Sequence, residues 1–215
     1  MIELYGISIK ELPPVQDALT LLKCADAWKA QHAGFLESDA TRASLGGLLL
    51  LQYAGLCGTL CYTSNGRPYL AEQAVDFSVT HTKTRVFCAI DRAAKEERLG
   101  LDAEDLNRGM SLDPMCMAKR WFSDAEQAFL AKEPTQKRFL QLWTRKEAYV
   151  KRNGKGLGGI READTLSLQV NEEVDFFEYT LGETLVSLCV NKGRCAPAVI
   201  AMLGNRELLE KLKNN

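Results

Sequence analysis

Residues 142–159 read LWTRKEAYVKRNGKGLGG, and this stretch decides more about the fold than any other part of the chain. It predicts a long helix over about residues 137–151, which Asn153 and Gly154 end. Glu147 lies four residues before Lys151, so both side chains share one face of that helix. A carboxylate beside an ammonium group suits a metal ion bound next to an anion, which points to chemistry on a phosphate-bearing substrate.

The composition favours a protein without a nucleic-acid or membrane partner. The 215 residues are 46% hydrophobic, and the net charge of −1 leaves no basic field for nucleic acid. The seven cysteines are scattered, with no CxxC pair, which favours reduced thiols over a disulfide framework. The first residues do not resemble a signal peptide, and no apolar run reaches the length of a membrane span. We therefore expect a cytoplasmic protein.

Runs rich in β-branched and aromatic residues alternate along the chain with stretches of helical spacing. The predicted strands are Ile2–Ile9, Phe77–Thr80, Arg85–Ile90, Leu99–Ala103, Thr165–Val170, Phe176–Thr180, Leu185–Val190 and Val199–Leu203. The order of elements predicts an α+β fold with two pseudo-symmetric halves, residues 1–98 and 99–215. Each half is expected to be a helix packed on a small antiparallel sheet.

Local signals predict where helices and turns begin. One helix is predicted to start at Ser38, an N-cap residue, and another at Asp113-Pro114, an N-cap followed by proline. A third is predicted to start at Ser123, which has the capping-box spacing to Glu126. A tight turn is predicted at Asn65-Gly66. Gly46 and Gly47 lie inside a predicted helix, where each glycine costs about 1 kcal/mol relative to alanine. We therefore expect another backbone to approach closely there.

Asp102 lies at the end of the predicted strand Leu99–Ala103, and Glu104 follows directly after it. Residues two apart on a strand point to the same face, so both carboxylates can converge on one cation. Oxygen ligands of this kind suit Mg²⁺ or Mn²⁺. The alternative is two ordinary surface acids, and Asp105 competes with Glu104 as the second ligand.

Further candidates rest on single residues. Glu147 is also typical of a solvated helix residue that pairs with Lys151. His81 follows an apolar strand and lies between two threonines, which suits either a structural histidine or a phosphate contact. Arg42 and Arg67 fit either phosphate ligands or plain surface arginines.

Taken together and in order, these segments resemble the 4′-phosphopantetheinyl transferases of the surfactin-synthetase-activating type. The matching segments are RASLG (residues 42–46), NGRP (65–68), FSVTHT (77–82), LGLDAE (99–104), KRWFSDAEQAFL (119–130) and LWTRKEAYVKRNGKGL (142–157). The last of them follows the family pattern W-x-x-K-E-A/S-x-x-K-x-x-G-K-G-L almost letter for letter.

The resemblance implies a monomer of two pseudo-symmetric α+β halves with the active site in the cleft between them. It implies an enzyme that moves 4′-phosphopantetheine from coenzyme A, its co-substrate, to a serine of an apo acyl, peptidyl or aryl carrier protein and releases 3′,5′-ADP. The alternative is a protein that binds coenzyme A or a carrier without turnover.

The resemblance also implies roles for single residues. Asp102, Glu104 and Glu147 would hold Mg²⁺, or Mn²⁺, on the pyrophosphate, and Glu147, directly or through a water, would be the base for the serine hydroxyl. Lys151 would stabilise the departing ADP oxyanion, while Lys146 would help there or face the carrier. The 3′-phosphate and the adenosine would be bound by Thr80, His81, Arg42 and Arg67.

One departure from the family concerns the segment before Arg42, which is usually basic. Here it reads WKAQHAGFLESD, so either the pyrophosphate is bound less tightly from that side or Lys29 alone contacts it there. A second expectation concerns the carrier, which presents an acidic helix in this family. The patch proposed to receive it consists of Met115, Met117, Lys119, Arg120 and Trp121, and the alternative is an amphipathic helix with core methionines.

Overall fold

The computed structural model describes residues 1–23, 37–71, 73–93, 98–110, 113–170 and 173–214. The chain divides into two units, and each is described by itself. The N-terminal unit consists of Met1–Thr63, Pro68–Lys95 and Pro197–Asn215. The C-terminal unit consists of Ser64–Arg67 and Glu96–Ala196.

The N-terminal unit is built on a four-stranded sheet with the order β4-β5-β1-β9. Its strands are β1 (Ile2–Ser8), β4 (Asp76–His81), β5 (Arg85–Asp91) and β9 (Val199–Leu203). A separate short hairpin pairs β2 (Leu60–Tyr62) with β3 (Pro68–Leu70). The described helices of this unit are α1 (Val15–Leu21), α2 (Asp39–Tyr53) and α7 (Asn205–Asn214), together with a 3₁₀ turn, Ile9–Glu11. The core of the unit lies between α2 and the sheet.

Helix α2 begins where the sequence predicts, because the Ser38 hydroxyl accepts a hydrogen bond from the backbone N–H of Thr41. The expected close approach at its two glycines involves side chains rather than backbone. A Cβ at Gly46 would lie 2.7 Å from Leu12 Cδ1, and one at Gly47 would lie 2.7 Å from Val79 Cγ1. The glycines therefore let the helix pack tightly on the side chains beneath it.

The C-terminal unit is built on a three-stranded antiparallel sheet with the order β6-β8-β7. Its strands are β6 (Gly100–Asp105), β7 (Val174–Leu181) and β8 (Thr184–Asn191). Its described helices are α3 (Pro114–Trp121), α4 (Asp124–Ala131), α5 (Gln136–Asn153), the 3₁₀ turn Leu157–Gly159 and α6 (Thr165–Val170). Helix α5 packs on β6 and β8, and the fully buried Phe139, Leu140 and Ala148 contribute to the core.

The predicted ends of these helices are confirmed. The Asp113 carboxylate accepts hydrogen bonds from the N–H groups of Met115 and Cys116, and Ser123 with Glu126 forms a complete capping box. Helix α5 ends at Gly154, whose φ of 70° lies in the left-handed region that glycine adopts at low cost.

The α+β class is confirmed, and two details of the predicted architecture are wrong. Residues 165–170 form a helix rather than a strand, because the Asp164 carboxylate accepts hydrogen bonds from the N–H groups of Leu166 and Ser167 and thereby starts a helical turn. The sheet of the N-terminal unit is mixed rather than antiparallel, because β9 pairs with β1 in parallel. Pseudo-symmetry between two halves stays a prediction.

The division of the chain also differs in detail from residues 1–98 and 99–215. Residues 197–215 cluster with the N-terminal unit because β9 is the neighbour of β1 in its sheet. Residues 64–67, at the tip of the β2–β3 hairpin, cluster with the C-terminal unit. Each unit is thus completed by a segment that is distant in sequence.

The cysteines do not all exist as thiols. Cys57 is disulfide-bonded, so the expectation of reduced thiols is wrong at this position. The free cysteines of the described part of the chain are Cys61, Cys88, Cys116, Cys189 and Cys195. None of the helices in the described ranges is long and apolar enough to cross a bilayer.

Gly100 tests how closely α5 lies against β6. A Cβ at this position would overlap the carbonyl oxygen of Ala148 and lie 2.5 Å from the backbone nitrogen of Arg152. Because both are backbone atoms of a helix, we expect Gly100→Ala to lower the free energy of unfolding by about 3 kcal/mol or more. Urea denaturation followed by circular dichroism measures this. Gly109→Ala is the matched control, since a Cβ there meets no atom within 4 Å, and a similar loss in both variants would contradict the packing argument.

Candidate active site

Strand β6 brings two of the predicted carboxylates to the same site. Asp102 is buried and Glu104 is partly buried. Burial raises the pKa of Glu104, and the charge of the nearby Asp102 raises it further. Asp105 turns to the neighbouring strand instead, where its Oδ1 accepts a hydrogen bond of 2.8 Å from the Thr184 hydroxyl. The geometry therefore favours Glu104 over Asp105 as the partner of Asp102.

Helix α5 is held against the sheet by contacts spread along its length. The hydroxyls of Thr144 and Ser187, both fully buried, lie 2.7 Å apart. One turn later Gly100 leaves room for the carbonyl of Ala148, and near the helix end Arg152 Nε donates to Asn191 Oδ1 at 3.0 Å. These contacts leave the face that carries Glu147 and Lys151 directed at β6.

Two cations from the same unit neutralise the strand carboxylates. Lys151 Nζ donates to Asp102 Oδ1 at 2.6 Å, and the guanidinium of Arg108 pairs with Glu104. Arg108 lies only four residues after Glu104, so the short spacing in the sequence is a signal from which this pair could have been predicted. Lys151 thus forms an ion pair from the helix to the strand, and its charge also lowers the pKa of Glu147 on its own helix.

Glu147 is the residue with the most perturbed carboxyl group of the cluster. Burial raises the pKa of Glu147 from its ordinary value of 4.5 to about 7; the charges of Asp102 and Glu104 also raise it, and Lys151 lowers it. A carboxyl group whose pKa is raised in this way is stabilised by binding either a proton or a cation. The structure thus brings Asp102, Glu104, Glu147 and Lys151 together.

Lys146 lies elsewhere, and its assignment to coenzyme A or to the carrier is corrected. Its side chain is fully buried, and Nζ donates to Glu126 Oε2 at 2.7 Å and to the carbonyl of Ala163. A side chain without exposed surface contacts neither a ligand nor a partner. Lys146 directly precedes Glu147 in the sequence, but neighbouring residues on a helix point about 100° apart, so the two side chains lie in different surroundings.

Arg67 supports the site rather than facing open solvent. Its guanidinium donates to the carbonyl of Lys151 and, at 2.9 Å, to the carbonyl of Leu99. Asn65, from the same turn, donates to the carbonyl of Gly154 at 2.8 Å. The predicted turn at Asn65-Gly66 therefore brings donors to the carbonyl end of α5, where unpaired carbonyls need them.

The remaining predicted residues belong to the N-terminal unit. Arg42 donates to the carbonyl of Leu12 and lies 3.6 Å from Glu37, Thr80 is buried, and His81 is exposed at the end of β4. Their roles at the 3′-phosphate and adenosine stay predictions. Lys29 lies outside the described residues.

The donor set fits a hard divalent cation in chemistry, although not as a preformed cage. Carboxylate oxygens are the ligands that Mg²⁺ and Mn²⁺ prefer, and the three carboxylates influence one another electrostatically. Within the residues that the structure describes, no group of three His, Cys, Asp or Glu side chains forms a ready-made metal site. Asp102 and Glu104 would have to exchange their present cationic partners for the ion.

The structure shows an α+β protein whose C-terminal unit groups three carboxylates with a lysine. Residues 98–199 match the family model of the 4′-phosphopantetheinyl transferase superfamily. Over these residues, just under half of the chain, the sequence is similar to that superfamily, which confirms the predicted resemblance.

Curated relatives support the same relationship over about half of the chain. HetI of Nostoc sp. (strain PCC 7120), a 4′-phosphopantetheinyl transferase, is 33% identical over 110 residues, which is 48% of this chain and 44% of the relative. A Bacillus subtilis 4′-phosphopantetheinyl transferase is 33% identical over 112 residues, 50% and 46% of the two chains. Sfp of Bacillus subtilis strain 168 is 32% identical over 100 residues, 45% and 40%. The match covers less than half the length of each relative.

The raised pKa of Glu147 predicts how stability depends on pH. In the metal-free protein the folded state holds this proton up to about pH 7, and the unfolded state only to about 4.5. The contribution of protonated Glu147 to the free energy of unfolding is therefore fully present below pH 4.5 and is lost as the pH rises through 7. We expect Glu147→Gln to match the unaltered protein at pH 4.5 and to exceed it at pH 8 by about 1–3 kcal/mol in the free energy of unfolding.

Chemical denaturation at both pH values, in EDTA, measures this difference. The matched control is Glu162→Gln, which removes an exposed carboxylate 3.5 Å from Lys155 and should change stability little at either pH. Equal stability of Glu147→Gln and the unaltered protein at pH 8 would contradict the burial of this group next to two other carboxylates.

Proposed function

We propose that this protein transfers the 4′-phosphopantetheine group of coenzyme A to a serine of an apo carrier protein and releases 3′,5′-ADP. The observation that carries the proposal is the cluster of Asp102, Glu104, Glu147 and Lys151, which combines ligands for a divalent cation with a cation for phosphate. The names of the relatives support phosphopantetheine transfer as the reaction class.

Asp102, Glu104 and Glu147 are the residues that would hold Mg²⁺, or Mn²⁺ in its place. When bound, the divalent cation supplies neutralisation of the charge on the pyrophosphate. The three side chains come from one strand and one helix, so the residues that hold the ion are fixed by the contact between β6 and α5.

Glu147 is also the proposed base. The serine oxygen of the carrier attacks the phosphorus that bears the pantetheine, its proton passes to the Glu147 carboxylate or to a water held by it, and the bond from phosphorus to the ADP oxygen breaks. The raised pKa of Glu147 belongs to the metal-free protein. A bound divalent cation would lower this pKa and keep the carboxylate ionised, which is the form that accepts the serine proton directly or through a water.

Lys151 would stabilise the ADP oxygen as it leaves. Its ammonium group now pairs with Asp102 at 2.6 Å, and only one third of the side chain is exposed, so it lies at the edge of the cluster rather than in bulk solvent. A cation placed there can exchange a carboxylate oxygen for a phosphate oxygen without a large movement.

We assign the 3′-phosphate and adenosine of coenzyme A to Arg42, Thr80 and His81 of the N-terminal unit, and to Arg67, as the resemblance implies. The reaction uses a cytoplasmic metabolite, so we also propose that the protein acts in the cytoplasm, as a monomer.

The carrier is proposed to dock on α3. Two guanidinium groups lie over the Trp121 ring, those of Arg120 and Arg161, each 5.1 Å from the ring centroid. An aromatic surface next to cations suits an acidic helix. Met115 and Met117 are half-buried and pack against the core, so they contribute to the apolar base of this surface.

Transfer is tested by the intact mass of a panel of apo carriers after incubation with coenzyme A and Mg²⁺. We expect a gain equal to phosphopantetheine, which EDTA abolishes. Glu147→Gln and Lys151→Met should each lower the rate by about 100-fold or more, while the matched control Lys192→Met, which breaks an ion pair with Asp175, should retain activity. No gain on any carrier, with coenzyme A still bound by calorimetry, would instead support a binding protein without turnover.

Docking on α3 is tested by reversing charge with Lys119→Glu and Arg120→Glu together. Repulsion of an acidic carrier should raise the carrier KM by about 10-fold or more and leave the coenzyme A KM unchanged. The matched control reverses charge on α7 with Lys211→Glu and Lys213→Glu, in the N-terminal unit. A rise in the coenzyme A KM instead would overturn the assignment of this surface.

A further inference from the structure

A fully buried ion pair lies next to the candidate active site without being part of it. Glu126, from the first turn of α4, and Lys146, from the middle of α5, both have no exposed surface, and Lys146 Nζ lies 2.7 Å from Glu126 Oε2. Burying two charges costs more free energy than their attraction usually returns, so such pairs are poorly explained by stability alone.

The partners of this pair belong to different elements. Glu126 also accepts hydrogen bonds from the N–H of Ser123 at 2.9 Å, from the N–H of Thr165 at 2.9 Å and from the Thr165 hydroxyl at 2.7 Å. Lys146 also donates to the carbonyl of Ala163 and lies 5.7 Å from the centre of the Phe122 ring. The pair therefore joins α4, α5 and the start of α6.

These contacts also fix how the chain returns after the glycine-rich segment. Residues 154–159 leave α5, and the chain comes back to Ala163 and Thr165, which are held by Lys146 and Glu126 respectively. The pair thus sets both the helix and the end of the loop that follows it.

The rotation of α5 about its own axis matters because Glu147 directly follows Lys146. A group about 5 Å from a helix axis moves by about 2 Å when the helix turns by about 20°. Productive sites require placement within about 0.5 Å. A buried ion pair with directional hydrogen bonds on the adjacent face constrains this rotation, in addition to the contacts of Thr144 with Ser187 and of Arg152 with Asn191.

We propose that Glu126 and Lys146 are positioning residues, which fix the rotation of α5 and thereby align Glu147 with Asp102 and Glu104. This inference rests on the proposed function, because the alignment is defined by the reaction that the cluster performs. The alternative is a purely structural pair, whose loss would lower stability without changing the chemistry of the folded protein.

The same helix offers a matched control. Arg145 precedes Lys146 and forms a two-bonded ion pair with Glu178 of β7, at 2.9 and 2.8 Å. Glu126→Gln and Glu178→Gln are therefore isosteric changes that each remove one charge from an ion pair anchored on α5. Where Glu126→Gln fails to fold, the double variant Glu126→Gln/Lys146→Met replaces it, because no unpaired charge is left in the core.

The experiment measures kcat, the carrier KM and the affinity for Mn²⁺ by electron paramagnetic resonance, at 10 °C on protein shown to be folded by circular dichroism. We expect Glu126→Gln, or the double variant, to lose about 10-fold to 100-fold in both kcat and Mn²⁺ affinity, as supporting partners of metal ligands commonly do. The carrier KM should stay within about twofold, and Glu178→Gln should change each quantity by no more than about twofold.

The inference is overturned if folded Glu126→Gln and Glu178→Gln give the same kcat and the same Mn²⁺ affinity, or if only the carrier KM changes. Failure of the proposed function is distinct, since it would appear as an unaltered protein that transfers nothing to any carrier. That result would overturn the positioning role as well, because no reaction would remain for the pair to serve.

Discussion

The carbonyl oxygen of Ala148 occupies the space where a side chain at position 100 would stand, so helix α5 rests on the backbone of strand β6. This close contact brings Glu147 and Lys151 near Asp102. A residue with any side chain at position 100 would prevent the contact. The other contacts of α5, such as Thr144 with Ser187, hold the helix in the same position along the sheet. The arrangement of the charged cluster in the C-terminal unit therefore depends on one glycine.

Bringing three carboxylates together is costly, and the unit offsets that cost with cations from the same elements. Lys151 and Arg108 each pair with one strand carboxylate, whereas Glu147 has a raised pKa because burial and its two acidic neighbours disfavour its charge. This local balance explains how a chain with a net charge of only −1 can contain a strongly charged site. A global charge count has no bearing on such a cluster.

The sequence predicted features that depend on residues close together in the chain. The capping box at Ser123, the glycine that ends α5 and the shared face of Asp102 and Glu104 all follow from spacings of a few residues. It did not predict the burial of Lys146, since its partner Glu126 comes from another helix. The helix at residues 165–170 is not predicted by its apolar run, which is typical of a strand, because only the cap from Asp164 distinguishes the two structures. The parallel pairing of β9 with β1 is a long-range property that no local pattern contains.

The segments that complete each unit from a distance give the chain an interwoven order. Residues 64–67 bring Arg67 to the carbonyls of Leu99 and Lys151, and residues 199–203 supply the fourth strand of the N-terminal sheet. No single cut in the backbone separates the chain into two pieces that each retain all of their own contacts. Folding must therefore close long loops before either unit is complete, which is the circumstance that slows a search through conformations. Because each unit consists of segments that are separated in sequence, neither unit can be transferred to another protein as one contiguous stretch of the gene.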